Sequence, residues 1–204
     1  MLILGNSDRD WTTFDHRLPS SVRKVLLQNS FLPNDGLLHG IPIGLENRPH
    51  GRNGMPHLFL KQYEMNRKSN KIMVGPFGAT HPLRTYMTEA DYSKHARIVH
   101  YQLRMSCVET ALISSTFQFV AAPRGNGRDT HRFWEVLYRG SLPVVHDDTW
   151  TDNMQLIGVP LVRTNGWSAD ALTSSIESES LPFSSSTVGP LWLEYWRKLI
   201  EDSL

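Results

Sequence analysis

Residues Phe117 to Val145 read FQFVAAPRGNGRDTHRFWEVLYRGSLPVV, and the order of residue types in this stretch dictates the fold around it. An apolar run ends at Ala122, a loop carries Gly125 and Gly127, an amphipathic segment follows, and Gly140 gives way to a second apolar run through Pro143-Val144-Val145. That succession is strand, loop, helix, strand. The loop and the first helical turn hold Arg124, Asn126, Arg128 and Arg132 beside the two glycines. Backbone amides at a helix N-terminus, flanked by fixed positive charge, suit an anionic ligand such as a phosphate.

Two familiar phosphate loops do not fit. A P-loop needs Lys and then Ser or Thr after its last glycine, whereas Gly127 is followed by Arg128 and Asp129. The dinucleotide fingerprint needs a third small residue where Thr130 stands. Along the helix, Phe133, Val136 and Leu137 share a face and are expected to pack on the sheet. Arg132, Glu135 and Arg139 lie on another. Arg132 falls in the first turn, where a diphosphate would sit, and Glu135 is placed to accept hydrogen bonds from a vicinal diol. The alternative is a surface Arg132–Glu135 pair that adds little to stability.

The run G-N-G-x-D-x-H-R followed by W-E-x-L, a helix-ending Gly140 and the Pro143-Val144-Val145 strand resemble exostosin-like glycosyltransferases of the GT-B type. The resemblance covers roughly Lys71 to Trp167. It implies an α/β fold, a Rossmann-like parallel sheet flanked by helices, equivalent to the C-terminal, donor-binding half of such an enzyme. It further implies transfer of a sugar from a UDP- or GDP-linked donor to a glycan or other hydroxyl acceptor, without a cofactor or a metal. The donor contacts it implies are Arg84, Arg124, Gly125, Asn126, Gly127, Asp129, His131, Arg132 and Glu135. Arg84 enters through the turn Gly75-Pro76-Phe77-Gly78-Ala79-Thr80-His81-Pro82-Leu83-Arg84, because a planar, permanently charged fork suits a diphosphate; an ordinary surface arginine is the alternative. Asp8 and Asp10 are the catalytic candidates. Residues 67–204 form the expected donor domain. Residues 1–66 resemble only the closing part of an acceptor domain, from Gln28-Asn29 to Ile41-Pro42-Ile43-Gly44-Leu45, so this lobe is read as truncated. Two further readings follow: a nucleotide-sugar-binding module without catalysis, and a subunit completed by a partner chain or a second copy.

Composition sets outer limits. The chain has 204 residues, 40% of them hydrophobic, and a formal net charge of +1. A core of ordinary size is available, and the balanced charge disfavours a nucleic-acid binder acting through bulk electrostatics. The single cysteine, Cys107, excludes an internal disulfide and a cysteine-based zinc site. No apolar run approaches the ~18 residues that span a bilayer, and Met1–Leu4 is too short for a signal-peptide core. A cytoplasmic protein is expected.

Elsewhere, Leu2-Ile3-Leu4 reads as a short strand, and Ser20 or Ser21 as the cap of a helix through Val22, Val25 and Leu26. Ile41–Leu45 is read as extended, residues 46–54 as a loop, and Ile72–Gly75 as the first strand of the main domain. Helices are expected from about Glu89 to Leu103 and from about Val188 to Glu201, with the serine-rich stretch Ser174–Ser186 as a mobile connection. Asp8-Arg9-Asp10 has the D-x-D pattern that holds a divalent metal in another transferase class, but it lacks that class's upstream strands. Asp147-Asp148 is read as a solvated turn, with a place near the sugar as the alternative, His50 and His57 as lacking further ligands, and Trp192 and Trp196 as packing a C-terminal helix, with sugar stacking as the alternative.

Overall fold

The structure, a computed structural model, describes residues 1–5, 7–15, 17–46, 54–55, 57–60, 68–177 and 185–202. Two all-parallel sheets are present. The first contains β1 (Leu2–Leu4), β2 (Val25–Leu27) and β3 (Leu38–Gly40), in that spatial order. A four-residue helix, α1 (His57–Leu60), precedes the second sheet. There the chain runs through β4 (Ser69–Val74), α2 (Pro82–Glu89), β5 (Ile98–His100), α3 (Cys107–Ser115), β6 (Phe117–Ala121), α4 (His131–Tyr138), β7 (Leu142–His146), α5 (Thr149–Leu156), β8 (Val162–Thr164) and α6 (Ala169–Ser175). The strands lie in the order β5-β4-β6-β7-β8, and α7 (Leu193–Glu201) ends the chain's regular structure.

Alternation along the strands explains why both faces of the large sheet are covered. Ile72, Val74, Phe119, Ala121 and Val144 pack with Met87 of α2 and with Leu172 and Ile176 near α6. The intervening Met73 and Val120 meet Val136 of α4, while Val145 joins Phe133, Leu137, Trp150 and Met154. A parallel sheet clothed on both faces needs nearly continuous apolar strands, and burying each large side chain contributes about 1.5–3 kcal/mol. The α/β architecture with parallel sheets flanked by helices, and the common sheet of β4, β6 and β7, are as the sequence leads one to expect.

The chain crosses from β4 to β5 on one side and then to β6 on the other, so the strand order reverses between β4 and β6. In open parallel sheets the crevice at such a reversal, outside the C-terminal strand ends, is where ligands bind. It is bounded here by the turn after Val74 and by the loop from Ala122 to Thr130. At the far end of α4, Gly140 takes the left-handed conformation at φ 69° that closes many helices. Lys68 Nζ donates to the Arg139 carbonyl at 2.7 Å.

Several local expectations need correction. Val25 and Leu26 are not helical: they belong to β2, whose three residues are wholly buried between β1 and β3. A short apolar run fits a buried strand as well as a helix, and the pairing on both sides decides it. The helix expected over Glu89–Leu103 is absent. Its first residue closes α2, an Asp91–Ser93 turn follows with Ser93 N donating to Asp91 Oδ1 at 2.9 Å, and Ile98–His100 pairs with β4. The C-terminal helix starts at Leu193 rather than near Val188, because Pro190 sits in a separate 3-10 turn, Gly189–Leu191. Ser174 and Ser175 belong to α6 and Ser185 and Ser186 to a 3-10 turn, so the serine-rich stretch is not one connection; residues 178–184 lie outside the described part. Trp196 is anchored by its Nε1 on the Pro190 carbonyl at 2.9 Å, whereas Trp192 is 46% exposed. The 66/67 boundary, most of the 46–54 loop and His50 also lie outside the described residues. No helix among those described is long and apolar enough to cross a membrane.

Candidate functional site

A cleft of about 290 Å³ opens at the β4–β6 reversal. Arg84, Gly125, Asn126, Gly127, Asp129, His131, Arg132 and Glu135 all line it, together with Asp8. Residues far apart in sequence thus converge where the topology places a crevice. Lining a cleft is not the same as being available to a ligand, and the hydrogen bonds separate these residues into two groups.

Arg132 and Thr130 keep unmet capacity. Arg132 Nη2 donates to the Pro76 carbonyl at 3.1 Å, while its Nη1 is sealed from solvent with no partner among the described residues. Thr130 is the N-cap of α4, with extended backbone at φ −129°, but its side chain makes no capping bond. Its buried Oγ1 has no partner either. Helices α2, α3, α5 and α6 are all capped by a side chain, from His81, Ser106, Asp148 and Ser168. The α4 N-terminus therefore presents orphan donors and the positive end of a helix dipole to the cleft. An unmatched buried donor costs about 1–3 kcal/mol, a cost that an anion accepting from it would remove.

Phe77 lies under two guanidinium groups, with Arg84 Cζ 6.0 Å and Arg132 Cζ 5.9 Å from its ring centre, within cation–π range. Arg84 also donates through Nε to the Arg124 carbonyl at 2.9 Å and through Nη2 to the Pro123 carbonyl at 3.0 Å. It both braces the loop and charges the cleft. Burial, and next the neighbouring Arg132 charge, pull Arg84 down to about 10 against the opposing pull of Glu135. Burial likewise lowers Arg132. Two close positive charges in a shielded place favour an anion between them.

The other basic residues of the loop face protein partners. Arg124 turns to the small sheet's lobe, with Nη2 on Asp10 Oδ2 at 2.8 Å, and does not line the cleft. Arg128 is 3% exposed; its Nε meets Asp148 Oδ2 at 2.6 Å, its Nη2 donates to the His146 carbonyl, and its Cζ sits 5.3 Å from the Trp150 ring centre. Asp148 also caps α5, so it is an anchored residue rather than the solvated turn its sequence suggests.

Asp129 and Gly127 join the two lobes. Asp129 is 2% exposed and accepts from Ile43 N at 2.6 Å and Trp134 Nε1 at 2.7 Å. Its own backbone N–H donates to Asn29 Oδ1 at 2.6 Å. Burial pushes its carboxyl up to about 7 despite these donors. Asn29 holds φ 57°, a conformation asparagine tolerates better than most residues, and its Nδ2 donates to the Ser7 carbonyl at 2.8 Å. A Cβ on Gly127 would stand 2.7 Å from that Nδ2. Gly127 is thus small because Asn29 packs on it.

Glu135 pairs with Arg139 rather than forming the surface pair with Arg132 that was the alternative, and this pair is buried. They are 3% and 8% exposed, and Arg139 Nη1 lies 3.7 Å from Glu135 Oε2. His131 Nδ1 is 2.8 Å from the Gly44 carbonyl. Of the two catalytic candidates, Asp10 is engaged by Arg124, whereas Asp8 is exposed on the cleft wall. Among the described residues no three His, Cys, Asp or Glu side chains group as metal ligands.

Sequence reasoning missed Thr130, Phe77 and Asn29. Thr130 was readable as an N-cap by its position before the helix. Phe77 and Asn29 matter through contacts distant in sequence and had no local mark. A scan against protein-family models and a search of curated proteins each found nothing that matches this chain.

Proposed function

We propose that the cleft binds a nucleotide-sugar and that the protein is a glycosyltransferase of the exostosin-like, GT-B type. The observation that carries this reading is the partnerless Arg132 Nη1 beside the uncapped N-terminus of α4. In the proposed reaction the acceptor oxygen bonds to the anomeric carbon as the bond from that carbon to the diphosphate oxygen breaks. The electron pair leaves with the diphosphate. Arg132, Arg84, Thr130 Oγ1 and the first α4 amides stabilise that charge in a shielded site. Glu135 is assigned to the ribose hydroxyls, with Arg139 fixing one of its oxygens.

Melting the protein in EDTA with UDP-, GDP- and CMP-sugars tests this. One nucleotide series is expected to stabilise the fold, by about 2.7 kcal/mol at a hundred times its Kd. Stabilisation by none, or only after Mn²⁺ is added, contradicts the proposal. Binding without turnover instead favours the reading as a non-catalytic module, for which the Asp10–Arg124 pair speaks, since it engages one of the two carboxylates first considered for catalysis.

A further inference from the structure

His131 lines the donor cleft and also borders a second space. A groove of about 950 Å³ crosses the C-terminal ends of β1, β2 and β3, lined by Gly5, Gln28 and Ile41 just past those strands. This groove meets the donor cleft along a common wall that includes His131, Asp8 and Asn126. His131 therefore stands where an acceptor lying in the groove would meet a sugar lying in the cleft.

Geometry selects the tautomer of its neutral ring. A carbonyl oxygen only accepts, so the 2.8 Å contact with the Gly44 carbonyl requires the hydrogen on Nδ1. The neutral ring then carries its lone pair on Nε2, which makes no hydrogen bond to the described residues. A histidine oriented through Nδ1–H and open at Nε2 has the form of a general base. Asp8, the competing carboxylate, is exposed on the shared wall.

We propose that His131 is the catalytic base, a role that rests on the glycosyltransfer reading. Its Nε2 takes the proton from the acceptor hydroxyl while that oxygen bonds to the anomeric carbon. The carbon–diphosphate bond breaks in the same displacement, its electrons leave on the diphosphate, and the configuration inverts. The proton on Nε2 passes to solvent after product leaves.

The test uses the nucleotide-sugar that stabilises the protein, with water as acceptor, and follows release of its nucleoside diphosphate. His131→Asn keeps an amide N–H near the Nδ1 position for Gly44 and lacks a base. Unchanged nucleotide affinity by calorimetry with release slowed by about 10²–10⁴-fold is expected. Wild-type release rates in a folded, binding-competent His131→Asn overturn the base and leave the nucleotide-sugar reading standing. Lost affinity overturns it too, by making His131 a donor contact. Slow release in Asp8→Asn alone moves the base to Asp8. Should His131→Asn fail to fold, His131→Gln, which also lacks a base, is read against the same outcomes. Absence of binding and release in the wild type defeats the nucleotide-sugar reading itself.

Discussion

Arg128 and Arg132 lie four residues apart, at the two ends of one loop-to-helix junction, and their surroundings are opposite. Arg128 has Asp148, a carbonyl and an indole face around it. Arg132 has one carbonyl, one ring and a nitrogen with no partner among the described residues. Basic residues near a glycine loop look alike in a sequence, and what separates a structural arginine from a ligand-binding one is the count of acceptors already facing it. The same division separates Gly127, which packs on the other lobe's Asn29, from Gly125, where an added Cβ would stand 3.2 Å from Thr80 Oγ1 and 3.3 Å from Arg84 Nη2.

The largest effect expected is on the structural side. Arg128→Ala strands Asp148 beside the core, and urea melts should show a loss of about 3–5 kcal/mol with nucleotide affinity of the folded fraction unchanged. A small stability loss with weakened binding would reverse the assignment of the two arginines.

Asp129 gives a pH signature of the lobe contact. Its folded carboxyl titrates near 7, raised from 3.8, so the folded protein holds this proton more tightly than the unfolded chain. Stability from this group is therefore highest below about pH 4 and falls as pH rises to about 7, by a few kcal/mol at most. Unfolding free energies of wild type and Asp129→Asn measured across that window should diverge in slope. Parallel curves would show that Asp129 is ionised throughout.

Gly127→Ala forces a methyl to 2.7 Å from the Asn29 amide, which is held by its own hydrogen bonds, and should cost about 1–3 kcal/mol, against a smaller loss for Gly125→Ala, whose nearest contact would be 3.2 Å. Equal losses in thermal melts would remove the distinction between the two glycines. Smallest of all, Thr130→Val deletes a hydroxyl that has no partner among the described residues. Stability should not fall, while diphosphate affinity should weaken by about 1 kcal/mol, roughly fivefold. A stability loss without an affinity change would mean that the hydroxyl serves the fold.

How much of this was legible beforehand follows from the range of the interactions. The β6–α4–β7 unit could be read because its apolar periods, loop glycines and helix-closing Gly140 are local. The cleft's composition was largely readable for the same reason, since most of its lining comes from two consecutive segments. The roles within it were not. Nothing near Asp129 in sequence announces Ile43 and Trp134 as donors, and nothing near Arg124 announces Asp10. The misread segments, Val25–Leu27 and Ile98–His100, are short strands whose identity comes from neighbours on either side or from an edge pairing, which no window on the chain contains.

The central claim is that Arg132, alone among the basic residues of its loop, is held ready for an anionic ligand. Calorimetric titration of UDP and GDP into wild type, Arg132→Ala and Arg132→Lys measures it directly. The account predicts that Arg132→Ala loses about 1.5–3 kcal/mol of binding, one to two orders of magnitude in Kd. Lysine should recover only part of it, because the charge returns without the planar fork. An Arg132→Ala protein that is folded and binds the nucleotide as tightly as the wild type would contradict it.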